Sequence, residues 1–146
     1  MLKQENVILD VAASSKEALF EAISKVALET GVISNADAFV EGLKAREVFG
    51  STGFMDGFAI PHCKNAVVQE PTVFFIRLQE GLEWGLADNT AAQYIFCLAI
   101  SDTDDGEQLK VLSKLSRKLV HADFRSQLKA VTSTADIVEI VNQAIG

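Results

Sequence analysis

Residues 46 to 62 read Arg46-Glu47-Val48-Phe49-Gly50-Ser51-Thr52-Gly53-Phe54-Met55-Asp56-Gly57-Phe58-Ala59-Ile60-Pro61-His62. A cation, two hydroxyls, three glycines and an imidazole behind a proline share this one segment. Those residue types suit a phosphoryl group held against a histidine nucleophile. His62 offers a ring nitrogen whose lone pair can attack phosphorus, provided that the ring is neutral. An ordinary imidazole is mostly neutral at pH 7, and a nearby guanidinium favours that form by repulsion. Arg46 is the candidate guanidinium. Pro61 fixes its own φ and pushes Ile60 toward extended geometry, so the chain reaches His62 with few conformations. A carbonyl or carboxylate usually fixes the tautomer of such a ring, and the sequence leaves that partner open.

Phosphoryl oxygens also need donors, because the charge of the loose transition state collects on them. Ser51 and Thr52 offer hydroxyls, and Gly50, Gly53 and Gly57 permit close approach of backbone N–H groups. Arg46 adds a planar, always-charged fork. Asp56 would repel phosphate, so it is expected to point away. Phe49, Phe54, Met55 and Phe58 are more apolar bulk than a solvent loop carries. Some should be core, and one or two should form an exposed rim for a partner protein.

Each residue also has a plainer role. Arg46 could neutralise a helix C-terminus. Thr52 could be an ordinary loop hydroxyl, and Glu47 is expected to be solvated. His121 fits a surface position at a helix end. Cys63, adjacent to His62, reads as a packed neighbour rather than a nucleophile. Two adjacent ligands and a distant histidine do not make a structural zinc pattern. The glycine-rich stretch lacks the Lys-Ser/Thr ending of a nucleotide loop. Neither a metal nor a cofactor is expected.

The elements that must hold this segment follow from periodicity. Residues 7–9 suggest a short first strand. Ser14 and Glu17 are spaced as a capping box ahead of Leu19, Phe20, Ile23, Val26 and Ala27 at helical spacing, with Gly31 as the stop. Ser34 and Asp37 repeat that pattern before a second helix ending near Arg46. Residues 58–60 read as a brief strand, and 72–78 as a strand rich in β-branched and aromatic residues. Residues 81–89 form a turn-rich connection. Residues 93–100 are apolar on both faces and suit a central strand. Leu109, Leu112, Leu115 and Leu119 give a helical stripe, Phe124, Leu128 and Val131 a short helix, and Ser133 with Asp136 caps a last one. Helices before and after a block of strands predict a three-layer α/β/α fold, a mixed sheet between helices.

The chain has 146 residues and is 49% hydrophobic, enough for one core in a single domain over residues 1–146. A formal charge of −7 argues against nucleic acid and anionic membrane as partners. Cys97 lies in an apolar run, where a thiol packs as a small hydrophobe. No signal peptide is recognisable, and no apolar run nears the roughly 20 residues of a membrane helix. A reduced, cytoplasmic protein is expected.

Together, Arg46-Glu47, Ser51-Thr52-Gly53 and Gly57-Phe58-Ala59-Ile60-Pro61-His62 resemble the signature of the enzyme IIA domain of the bacterial sugar phosphotransferase system, mannitol/fructose class. The likeness extends to Gly81 and Trp84 and to the helix from Leu109 to Leu115. It implies that His62 takes a phosphoryl group from the histidine-containing phosphocarrier protein and passes it to a cysteine of enzyme IIB, with Arg46 beside the phosphorylated ring. The membrane component, enzyme IIC, is then an indirect partner. The family's second histidine falls at Gln108 here. An amide can donate to phosphate but brings no charge, so Gln108 is expected to act as a neutral donor. A nitrogen-related branch, in which phosphorylation controls protein partners, is the alternative.

Overall fold

The computed structural model describes residues 2–146. β1 (Leu2–Val11) leads into α1 (Lys16–Glu29) and α2 (Ala36–Phe49). Then come β2 (Phe58–Ala59), β3 (His62–Asn65), β4 (Thr72–Leu82) and β5 (Ala92–Ser101). α3 (Glu107–Leu119), α4 (Ala122–Ala130) and α5 (Thr134–Ile145) close the chain.

The sheet is mixed, in the order β1-β4-β5-β2, with β3 continuing along the same edge of β5. β1 runs parallel to β4, β4 antiparallel to β5, and β2 and β3 parallel to β5. Two clusters of buried side chains fill its faces. One face packs Phe74, Ile76, Ile95 and Cys97 against Leu19, Phe20, Phe39 and Leu43 of α1 and α2. The other packs Phe75, Phe96 and Leu98 against Leu115, Leu128 and Val141 of α3, α4 and α5. This is the expected α/β/α arrangement, with β5 buried on both faces.

Several local expectations need correction. The first two helices begin one residue later than the capping patterns implied. Ser15 Oγ accepts from Ala18 N, and Asn35 Oδ1 from Ala38 N. In both places two cap-forming residues are adjacent, and the second one takes the position. Gly31 does follow α1, with φ +77°. α2 continues past Arg46 through Val48 and Phe49, which are 88% and 89% exposed. In that last turn the apolar side chains face solvent and the covered one, Glu47, is polar, so apolar spacing stops before the helix does.

Residues 52–60 fold back on themselves rather than wander. Gly53 bridges Ala59, and Ile60 N donates to Thr52 O at 2.9 Å. Phe58 N donates to Met55 O across Asp56 and Gly57, whose φ values are +55° and +81°. Positive φ at both central residues defines the hairpin turn for which Asp-Gly is a preferred sequence. Asp56 is turned to α4: its carboxylate takes Arg125 Nε at 3.0 Å and Lys129 Nζ at 2.5 Å, so it is engaged by two cations. Asp88 and Thr90 hold the backbone N–H groups of Asp56 and Gly57.

β3 was not foreseen. Pro61 lacks the N–H of a ladder residue, but an edge strand tolerates that loss. Pairing with β5 resumes at once, with His62 opposite Leu98 and Leu98 N donating to Pro61 O.

Candidate active site

His62 opens β3 at the edge of the sheet and is half-buried. Its Nδ1 lies 2.9 Å from the carbonyl oxygen of Ile60. A carbonyl can only accept, so Nδ1 carries the proton and Nε2 keeps its lone pair. Pro61 restricts the backbone between this carbonyl and the ring, with its own φ locked and Ile60 confined to extended geometry. The tautomer partner that the sequence left open is therefore two residues upstream.

His62 lines a cleft of about 390 Å³ together with Gly42, Ala45 and Arg46 of α2, Cys63 and Lys64 of β3, Ile100 of β5 and Leu109 of α3. The structure thus brings Arg46 and His62 to one cavity, between two helix layers at the sheet edge. Arg46 Nη1 donates to Gly50 O at 2.6 Å, and its guanidinium stands 5.8 Å from the ring centre of the exposed Phe49. Arg46 therefore closes the helix end as well as facing the cleft. A larger groove of about 770 Å³, between the start of α1 and the end of β4, is lined by none of the predicted site residues.

Thr52 is placed differently from expectation. It is 7% exposed and its hydroxyl donates to Glu47 Oε1. Thr52 N donates to the same oxygen at 3.1 Å. Glu47 is correspondingly not solvated. Its side chain is 8% exposed, and Lys16 Nζ lies 3.4 Å from Oε2 while standing 4.8 Å from the Trp84 ring centre. Glu47 is a supporting residue that the sequence reading missed. Its carboxylate fixes the loop that follows α2.

The glycine N–H groups are also committed elsewhere. Gly50 N donates to Arg46 O, Gly53 N to Ser51 Oγ and Gly57 N to Thr90 Oγ1. Gly53 is needed for packing, since a Cβ there would lie 2.3 Å from Leu86 Cδ2. Oxygen-binding capacity at the cleft thus resides in side chains more than in a backbone cradle. Ser51, exposed, keeps a free hydroxyl proton while its oxygen accepts from Gly53.

Gln108 sits in the first turn of α3, beside the cleft-lining Leu109. Its N–H donates to Asp104 Oδ1 at 3.3 Å. The side chain does not line the cleft, and its buried Oε1 has no partner among the described residues. Cys63 is free and buried, and burial pushes its thiol above the ordinary range. That suits packing and opposes nucleophilic use. Cys97 is likewise free and buried, its thiol pushed well up by desolvation. His121 is exposed at the start of α4, where its N–H donates to Lys118 O. No group of three or more His, Cys, Asp or Glu among the described residues could hold a metal ion. No helix there is long and apolar enough to cross a membrane.

Of the large apolar residues in the segment, Phe58 is wholly core and Phe54 half-buried, whereas Phe49 and Met55 are exposed. Leu109, 53% exposed, leaves the α3 stripe for the cleft mouth.

Residues 1–144 match the model of the family described as "Phosphoenolpyruvate-dependent sugar phosphotransferase system, EIIA 2". The chain is 29% identical over 137 residues to a "PTS system fructose-like EIIA component" of Escherichia coli, covering 94% of this chain and 92% of that one. It is 30% identical over 141 residues to a "PTS system fructose-specific EIIA component" of Haloferax volcanii, with 97% and 92% covered. Among solved structures, the nitrogen regulatory protein IIA-Ntr of Neisseria meningitidis superposes with a TM-score of 0.87 at 36% identity, covering 96% and 95% of the two chains.

Proposed function

Because this chain belongs to the phosphoenolpyruvate-dependent sugar phosphotransferase system EIIA 2 family, we propose that it is a phosphohistidine carrier using Nε2 of His62. The observation that carries this is the 2.9 Å contact of Nδ1 with the Ile60 carbonyl. It leaves Nε2 as the nucleophilic nitrogen, in a cleft shared with Arg46.

The transfer balances without moving a proton. The Nε2 lone pair forms a bond to phosphorus as the P–N bond to the donor's imidazole breaks. That electron pair returns to the donor nitrogen. The His62 ring gains positive charge as it bonds, and the Ile60 carbonyl then accepts from a charged N–H, a stronger hydrogen bond. Arg46 neutralises the phosphoryl oxygens, where the transition-state charge lies. Gln108, whose side chain lies outside the cleft lining, acts as a neutral donor by turning its amide past Leu109 toward the phosphoryl group. Thr52 serves through its bond to Glu47, shaping the loop, rather than by donating its proton to phosphate.

The donor is the histidine-containing phosphocarrier protein and the acceptor a cysteine of the cognate enzyme IIB. Enzyme IIC then moves a sugar or sugar alcohol of the fructose, mannitol or galactitol type. The exposed Val48, Phe49 and Met55 supply an apolar rim for these encounters. The exchange takes place in the cytoplasm.

A regulatory role is the second possibility, and the similarity to IIA-Ntr at 36% identity favours it. The two share the His62 chemistry and differ in the acceptor. The protein should be charged from labelled phosphoenolpyruvate through enzyme I and the phosphocarrier protein. It should then be mixed with enzyme IIB. Transfer of label to IIB supports the transport role. Label that stays on the protein while altering its capture of another protein supports the regulatory role. Absence of label from the protein refutes both.

A further inference from the structure

We infer that the contact between Gly42 and Cys63 sets the distance between Arg46 and His62, making both of them positioning residues for phosphoryl transfer. The inference rests on the carrier function of His62.

Gly42 lies in the middle of α2, where glycine is a poor helix former and no left-handed backbone calls for it. Its lack of a side chain is explained by what lies opposite. A Cβ at Gly42 would stand 2.3 Å from Cys63 Sγ and 3.0 Å from Asn65 Nδ2. α2 therefore rests directly on β3, with the cysteine sulfur seated in the space that a side chain would fill. Asn65 ties the same seam one turn earlier, with Nδ2 donating to Ala38 O at 3.4 Å.

The position of this seam matters for the chemistry. Gly42 and Arg46 are one helical turn apart and share a face of α2. Cys63 is the residue after His62. All four line the same cleft. Whatever fixes the approach of Gly42 to Cys63 thus fixes that of the guanidinium to the imidazole. Cys63 has no competing role, since its thiol is buried and unpaired with Cys97. A methyl group at residue 42 needs ordinary contact of 3.4 Å or more from that sulfur. α2 must then move away by about 1 Å, and a misplacement of that size at a reacting centre costs on the order of 100-fold in rate.

The test uses the full-length protein, phosphorylated by its charged donor under single-turnover conditions, with folding of each variant checked by circular dichroism. Gly42→Ala should slow transfer about 100-fold, with the KM for the donor protein within about twofold of the parent. Removing the sulfur should cancel the effect. In G42A/C63A the new methyl meets Cys63 Cβ at 3.8 Å, and the 3.0 Å approach to Asn65 Nδ2 is relieved by a small shift of that terminal amide, so its rate should match C63A within about threefold. In an R46A background, Gly42→Ala should cost little more, because its effect runs through Arg46. An equal cost in that background, or no rescue by C63A, overturns the inference. Should G42A fail to fold, C63A and G42A/C63A decide alone: equal rates support the contact and a slower double variant refutes it. A parent that takes no label on His62 would instead sink the carrier function itself.

Discussion

Glu47→Ala should destabilise the protein by about 3 kcal/mol, although nothing in its sequence position marks it as buried. The carboxylate accepts both the N–H and the hydroxyl of Thr52, a residue only 7% exposed. A hydrogen bond to a charged group contributes about 1.5–3 kcal/mol, and an orphaned buried donor costs about 1–3 kcal/mol. If the loop relaxes enough to offer one donor to water, about 3 kcal/mol remains. The loss of the Lys16 contact is left uncounted, because that ammonium is a third exposed. An unfolding entropy of about 2.1 cal/mol/K per residue over 146 residues gives roughly 0.3 kcal/mol/K. The expected fall in Tm is therefore about 10 °C by calorimetry. Glu47→Gln keeps one acceptor oxygen and should lose roughly half as much. Thr52→Val should cost less than Glu47→Ala, and the E47A/T52V pair should fall short of additivity by about 1 kcal/mol. A Tm for E47A within about 2 °C of the parent would refute the supporting role.

Asp56→Asn tests the clasp between the hairpin turn and α4; asparagine keeps the tolerance for φ +55°. The Lys129 hydrogen bond, opposed by burial and helped to a lesser degree by Arg125, holds the Asp56 carboxyl below its usual range. A depressed folded value means that the contribution is present above the ordinary carboxylate range and is lost as pH falls. The Tm gap between parent and D56N should therefore be full near neutrality and shrink below about pH 4; a constant gap contradicts it. Phe49→Ser, at an 89% exposed site, should change stability by no more than about 0.5 kcal/mol. It should raise the KM for the donor protein about fivefold or more. An unchanged KM removes Phe49 from the docking rim. Gln108→Leu should slow phosphoryl transfer about tenfold in single-turnover assays, and an unmodified rate rules out its donor role.

The layers of the fold were legible because their residues repeat at the periods of helix and strand. Residues 73–76 and 94–100 carry unbroken apolar runs, and α3 and α5 carry stripes that reach the core. Where burial does not accompany an element, the pattern falls silent. The last turn of α2 is the clearest case, with Val48 and Phe49 projecting into solvent. β3 was hidden for another reason: its four residues alternate weakly and follow a proline, and only the neighbouring β5 makes them a strand. The hairpin at 52–60 did have a signal, the Asp56-Gly57 pair.

At the site, the sharing of one cleft by Arg46 and His62 was readable from residue types and spacing. The use of the glycines was not. Their N–H groups are satisfied inside the loop, and Gly42, which makes the closest approach to β3, lies outside the glycine-rich stretch. Glu47 illustrates the limit most clearly. A carboxylate at the end of a helix usually faces water, and only the return of the chain over it brings Thr52 within reach.

The central claim is a phosphoryl group on one particular nitrogen of one residue. Mass spectrometry of the protein charged by its donor, combined with phosphorus NMR under base-stable conditions, reads both. The expected result is one acid-labile phosphoryl group on His62 with the Nε2 signature, absent from His62→Ala. A phosphoryl group on Nδ1, on another residue, or on none would contradict the account.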